Sequence, residues 1–264
     1  MLEQIILGTI QGITEWLPVS SEGIIVLITE NFLKEGITIE TIVKQALFLH
    51  LGTFLAALVY FRKDVLSLIK ALFNYKSAEL ETQKIFKFLF ISFLISGFLG
   101  FALLKIFIGL EDQLSLSAKT ITLVIGLLLL ITAYLQIKAP KQGYNKSVNL
   151  KNTDSILLGL IQGLAVLPGL SRSGLTVSTL LLRKFDDQDA LKLSFLMSLP
   201  IVLAGNIILN FNDLIFSNEL ILGLIFSFVF GLLTIDLLLK IAKRINFGYF
   251  VLIFGLLILV SVFI

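Results

Sequence analysis

Two stretches decide the fold of this chain: ILGTIQGITEWLPVSSEG at residues 6–23 and LLGLIQGLAVLPGLSRSG at residues 157–174. Each carries L-G-x-I-Q-G, then a proline, then S-x-x-G, with a one-residue slip at the proline so that Pro18 pairs with Pro168. Ser20, Ser21, Glu22 and Gly23 then stand opposite Ser171, Arg172, Ser173 and Gly174. Both stretches sit inside apolar runs, 4–33 and 154–184, that Pro and a Ser/Gly cluster interrupt midway. Irregular backbone at membrane depth is tolerated only where it is buried in protein or lines a wet cavity, so each run reads as a broken hairpin pointing to a site.

The rest of the chain supplies the membrane. Of its 264 residues 57% are hydrophobic and only 15% charged, with a mean hydropathy of +0.99, which is more apolar surface than a soluble domain of this size buries. Six segments have the roughly 20 apolar residues needed to cross a hydrocarbon core of ~30 Å: 41–61, 88–109, 119–137, 193–211, 220–239 and 247–264. Sixteen of the 21 Lys and Arg residues fall in alternate connections, from Arg62 to Lys87, Lys138 to Lys151, Arg183 to Lys192 and Lys240 to Arg244. The positive-inside rule makes those connections cytoplasmic, and it leaves 110–118 (Glu111, Asp112), 212–219 (Asp213, Glu219) and both termini outside. The net charge of +3 therefore reflects orientation and gives no reason to expect nucleic acid.

Three spans follow each broken hairpin, and an odd number turns the second copy over. The expectation is an all-α polytopic membrane protein built as an inverted-topology repeat, each half a re-entrant helical hairpin plus three transmembrane helices. Repeat 1 covers about 1–137, a cytoplasmic linker 138–152, and repeat 2 about 153–264. The hairpin tips would meet near the midplane.

The tips carry complementary chemistry. The first has Glu15, Ser20, Ser21 and Glu22, and the second has Arg172 between Ser171 and Ser173. Charges at this depth cost ~2.5–3.5 kcal/mol on insertion scales and persist through pairing or function. One reading is a Glu15–Arg172 ion pair locking the hairpins together. The other is an anion site: a guanidinium, several hydroxyls, Gly23 and Gly174, and two helix N-termini suit a phosphate better than a carboxylate. Beside such an anion Glu15 could act as a general base or hold Mg²⁺ or Ca²⁺, and Ser20 or Ser21 could attack or merely position the phosphate. Thiolate chemistry and disulfides are excluded, since there is no cysteine, and a single histidine rules out a His-cluster metal site. Gln11 and Gln162, at equivalent places in the repeats, are expected to hydrogen-bond across the hairpin contact. Asp236 is expected to pair with Lys240.

GITEWLPVSSEG followed by an apolar helix resembles the first signature, and LPGLSRSG the second, of the integral-membrane undecaprenyl-diphosphate phosphatases, the bacitracin-resistance family. The resemblance runs over essentially the whole chain. It implies hydrolysis of a polyprenyl diphosphate to the monophosphate and inorganic phosphate, promoted by a divalent cation, with Glu15, Ser20, Ser21 and Arg172 as the functional core and Ser171 and Ser173 supporting the phosphate. The alternative is a polyprenyl-phosphate flippase or anion transporter using the same site. Whether the chain is a monomer or a homodimer is left open. Two departures stand out: Gln11 occupies the first acid of the family's E-G-x-T-E, and Ile24 stands where S-S-x-G-H places a histidine. The only histidine, His50, lies in the first full span; it reads either as a packing residue or as the replacement for that missing imidazole.

Overall fold

The computed structural model describes residues 1–29, 39–114, 118–140, 143–210, 218–244 and 247–263. Its helices account for both classes of segment. The interrupted stretches form α1 (Leu2–Thr14) and α2 (Ser21–Ile28), then α7 (Asn152–Leu164) and α8 (Arg172–Leu182). Pro18 and Pro168 fall in the intervening turns, as expected of a residue that cannot donate the helical hydrogen bond. Residues 30–33, the end of the first expected hairpin, lie outside the described residues.

Among the described residues five helices are long and apolar enough to cross a membrane: α3 (Ile39–Tyr60), α5 (Leu80–Leu114), α6 (Ala118–Lys138), α9 (Asp187–Asn210) and α10 (Asn218–Arg244). The sixth expected span, 247–264, is the shorter apolar helix α11 (Phe247–Ser261), whose 15 residues extend only ~22 Å at 1.5 Å per residue. Two features differ from the sequence expectation. Helix α5 continues through Glu111 and Asp112, which are therefore helical and not part of a connection. Between α3 and α5 lies α4 (Arg62–Phe73), whose Leu66, Ile69, Leu72 and Phe73 are exposed while Ala71 is buried. Asp213 lies outside the described residues.

Each interrupted pair rests on a helix from the other half of the chain. Helix α1 packs along α10, and α7 packs along α5. The L-G-x-I-Q-G glycines make this possible, because small residues let membrane helices approach closely. A Cβ on Gly12 would lie 2.7 Å from the Ser227 carbonyl oxygen and 2.8 Å from the Gly231 nitrogen, and one on Gly163 would lie 2.9 Å from the Leu99 side chain. Polar side chains reinforce the packing: Ser227 Oγ donates to the Leu49 carbonyl at 2.8 Å, and Asn206 Nδ2 donates to the Leu47 carbonyl at 2.9 Å.

Ion pairs gather the basic connections. Lys146 pairs with Asp186, Lys192 Nζ lies 3.4 Å from Glu81 and 3.6 Å from Asp64, and Asp236 accepts from both Lys240 (2.6 Å) and Tyr60 (3.2 Å). The expected Asp236–Lys240 pair is thus present. The N-terminal ammonium lies 3.1 Å from Glu219, which puts the chain start beside the start of α10.

A methyl group at position 12 has only backbone and a Cβ to push against, so Gly12→Ala is expected to destabilise the protein by about 1–3 kcal/mol through overpacking. Gly109→Ala, where a Cβ meets nothing within 4 Å, is expected to leave the thermal unfolding midpoint in detergent unchanged or slightly raised.

Candidate active site

The turn after α1 is fastened before any reactive group is considered. Trp16 Nε1 donates to the Gly231 carbonyl at 2.9 Å, and its ring meets Phe195 edge-on at 5.2 Å. Helix α6 holds both turns: Gln136 Nε2 donates to the Pro18 carbonyl at 2.7 Å, and Thr132 Oγ1 accepts from the Ser171 N–H at 3.3 Å. The tips also bind each other. Ser173 Oγ donates to the Leu17 carbonyl at 3.2 Å, while Ser20 Oγ accepts from the N–H groups of Gly23 and Gly169, each at 3.3 Å. To aim its hydroxyl both ways Ser20 takes a left-handed backbone (φ 65°), a conformation that costs a non-glycine residue of order 1–3 kcal/mol. Gly169, at φ 101°, sits where a side chain would be strained.

Inside this frame Glu15 becomes the hub. One carboxylate oxygen, Oε1, pairs with Arg172 Nη2. The other, Oε2, accepts from Ser21 Oγ at 2.8 Å and Gln11 Nε2 at 3.0 Å, and His50 Nε2 lies 3.2 Å away. His50 Nδ1 is 2.7 Å from the Ala46 carbonyl. A carbonyl only accepts, so Nδ1 carries a hydrogen, and Nε2 is the nitrogen that faces Glu15. Arg172 itself donates through Nη1 to the Ser194 carbonyl at 3.2 Å, and its guanidinium lies over Phe195, 5.8 Å from the ring centroid.

Ser20 and Ser171 cap α2 and α8 by accepting from Gly23 and Gly174. The N–H groups of those two glycines therefore point at the caps. Gly23 also permits close approach, since a Cβ there would lie 3.0 Å from the Gly169 nitrogen. Ser171 and Ser173 place their hydroxyls 3.4 Å apart. A small pocket of about 40 Å³ is lined by Glu15, Ser20, Ser21, Glu22, His50 and the Ser171–Arg172–Ser173 run. Beside it lies a cavity of about 480 Å³ walled by apolar residues of α3, α5, α9 and the turn after α7, with Glu22, His50 and Arg172 also on its lining.

The structure thus brings together every expected site residue, in both polar readings at once: the Glu15–Arg172 ion pair forms, and it forms inside the pocket. The expected Gln11–Gln162 contact does not form. Gln11 turns to Glu15, with Thr53 at 3.5 Å, and Gln162 donates to Ser96 at 3.0 Å on the wall of the large cavity. Thr53, Thr132, Gln136 and Ser194 escaped the sequence reading. Their signal is faint: Thr132 and Gln136 are polar residues four apart on one face of an apolar span. Among the described residues no three His, Asp or Glu side chains gather into a cation cage. Glu15, the expected ligand for Mg²⁺ or Ca²⁺, has both oxygens turned to protein donors and fits a cation poorly in this arrangement, whereas Glu22 has no hydrogen-bond or ion-pair partner among the described residues.

Known proteins share this chain nearly end to end. It is 41% identical to the undecaprenyl-diphosphatase of Methanococcoides burtonii across 99% of this chain and 98% of that one. Proteins of the same name from Haloarcula marismortui and Methanothrix thermoacetophila are 35% and 33% identical, each covering 97% of this chain and 94% of its own length. The profile of the bacitracin resistance protein BacA family matches residues 4–259. The polar turns and the cluster at Glu15 lie within that match, and the chain belongs to the bacitracin resistance protein BacA family.

Proposed function

We propose that this protein hydrolyses undecaprenyl diphosphate to the monophosphate and inorganic phosphate, returning the lipid carrier of cell-envelope synthesis to use. The relatives named as undecaprenyl-diphosphatases support the activity, and one contact carries the mechanism. Ser21 Oγ, 2.8 Å from Glu15 Oε2, is a hydroxyl with a carboxylate in place to receive its proton. The transporter reading is not favoured, since those relatives bear the name of a hydrolase.

In the proposed sequence Ser21 Oγ attacks the terminal phosphorus and its proton passes to Glu15 Oε2. The bond from that phosphorus to the bridging oxygen breaks, and undecaprenyl monophosphate departs with the oxygen. Water then attacks the phosphoserine, the P–Oγ bond breaks, and Ser21 Oγ regains the proton held by Glu15. His50, within 3.2 Å of the same carboxylate oxygen, keeps that proton in exchange and takes over the part of the histidine that Ile24 replaces. Arg172 turns its guanidinium toward phosphate oxygens, and the hydroxyls of Ser171 and Ser173 and the N-termini of α2 and α8 add donors. The apolar cavity of about 480 Å³ is of ordinary ligand-pocket size and takes the part of the tail nearest the diphosphate. Exposed Phe98 and Ile208 on its lining offer the rest of the tail a path into the bilayer. Mg²⁺ or Ca²⁺ belongs to the proposal as cofactor and would supply positive charge against that of the diphosphate.

The same reading extends to topology: an inverted repeat of about 1–137 and 153–264 joined by a cytoplasmic linker at 138–152. The reciprocal seating of α1 on α10 and α7 on α5 supports it, as does the collection of basic connections by ion pairs. With α11 counted as the sixth span, the termini lie outside.

Purified protein is expected to release phosphate from undecaprenyl diphosphate, with Ser21→Ala and Arg172→Ala each lowering kcat by about 10³-fold or more. His50→Gln, which keeps a hydrogen bond but exchanges no proton, is expected to lower it by roughly 10²-fold and to flatten the dependence of kcat on pH between 5 and 8. A wild-type protein releasing no phosphate would overturn the reading. Because the chain lacks cysteine, single-cysteine labelling of intact cells tests the topology. Glu219→Cys should react with an impermeant maleimide and Lys76→Cys should not.

A further inference from the structure

Glu22 is the acid in the pocket that the mechanism above leaves idle. It lies one residue inside the start of α2 and lines both the small polar pocket and the large apolar cavity. That is the seam where a diphosphate in the first would join a prenyl tail in the second. Its carboxylate has no hydrogen-bond or ion-pair partner among the described residues. This contrasts with Glu15, whose two oxygens face Arg172, Ser21, Gln11 and His50. A carboxylate at the mouth of an apolar cavity with no hydrogen-bonded partner is costly to hold in its charged form unless a positive charge arrives to face it.

The charges of the pocket say what that something must supply. Even with His50 protonated, Arg172 and His50 only balance Glu15 and Glu22. A diphosphate monoester brings two to three further negative charges into a region walled by Val43, Phe93, Phe101 and Ile201, where Coulomb interactions are poorly screened. A divalent cation shared between diphosphate oxygens and one protein carboxylate removes most of that excess, and the hard oxygens of phosphate and carboxylate are the ligands Mg²⁺, Mn²⁺ and Ca²⁺ prefer. The side chains around Glu15 make it the wrong carboxylate for this task. Position 11, from which a second acid could have reached Glu15, is an amide that donates to it.

We infer that Glu22 is the protein ligand of a divalent cation that enters with the diphosphate, holding it at the junction of the polar pocket and the tail cavity. The inference rests on the diphosphatase reading for its ligand, since the site is completed only when phosphate oxygens occupy the pocket. A cation there would offset charge on the diphosphate without competing for Glu15, whose oxygens already face Arg172, Ser21, Gln11 and His50.

The test uses the full-length protein in detergent, with Mn²⁺ as the cation and methylenediphosphonate as a diphosphate that cannot be hydrolysed. Equilibrium dialysis reports binding: free Mn²⁺ and its soluble diphosphonate complex equalise across the membrane, and the excess Mn²⁺ on the protein side is the amount held by the protein. Wild type is expected to take up one Mn²⁺ when methylenediphosphonate is present and far less without it. Glu22→Gln, which keeps size and polarity, should weaken that uptake at least tenfold, Glu22→Asp should retain most of it, and Ser21→Ala should leave it unchanged within a factor of two. Undiminished Mn²⁺ uptake by Glu22→Gln would overturn the inference, and so would wild type that takes up no Mn²⁺ with the diphosphonate. Should Glu22→Gln not fold, Glu22→Ala in the same assay decides on the same criterion. Mn²⁺ uptake that depends on Glu22, in a wild-type protein that hydrolyses no polyprenyl diphosphate, would sink the diphosphatase reading and leave the cation site standing.

Discussion

Everything polar at the centre of this molecule hangs on the pairing of Glu15 with Arg172, 157 residues apart in the chain. Neither charge is tolerable alone at membrane depth, and removing one partner of a buried pair typically costs 3–5 kcal/mol because the other is left uncompensated. The pair therefore dictates that the two interrupted segments meet, and the meeting defines the pocket. Ser20 accepting from Gly169 and Ser173 donating to Leu17 follow from that contact; they fix its register.

The same pair shows how one carboxylate can serve as scaffold and, in the proposed reaction, as base. Glu15 divides the work between its oxygens, with Oε1 facing Arg172 and Oε2 facing Ser21, Gln11 and His50. In the proposed reaction a phosphate approaching Arg172 would compete with Oε1 for the guanidinium and leave the Ser21 contact in place. Helix α6, through Thr132 and Gln136, and α9, through the Ser194 carbonyl and Phe195, hold the turns while such an exchange takes place. These supports act by positioning the two turns and the Arg172 side chain.

Much of this was legible from residues alone, for physical reasons. The two interruptions, the acid in one and the arginine in the other, stand out because any charge or proline in an apolar run must be explained. Five of the spans follow from length and hydropathy. What stayed hidden depends on partners. The glycines of L-G-x-I-Q-G read as part of a motif, but only the fold shows that Gly12 faces Ser227 and Gly231 and Gly163 faces Leu99. Gln11 and Gln162 looked like partners by symmetry, yet each finds a nearer group, because an amide bonds whichever acceptor or hydroxyl its own helix face meets. His50 offered two readings, and only the fold shows that its Nε2 lies 3.2 Å from Glu15. The length of α5 and the presence of α4 escaped because hydropathy marks where a helix is apolar, not where it ends.

The reciprocal seating of α1 on α10 and α7 on α5 also bears on how the chain is made. When Glu15 enters the membrane during synthesis, Arg172 has not yet been added, and at ~5–20 residues per second it follows roughly 8–30 s later. The ledge for α1, residues 218–244, comes later still. For that interval the nascent first half carries an unpaired acid and a glycine-lined helix face with nothing to lie on. The insertion machinery must shelter a half-built pocket until the ribosome delivers its complement.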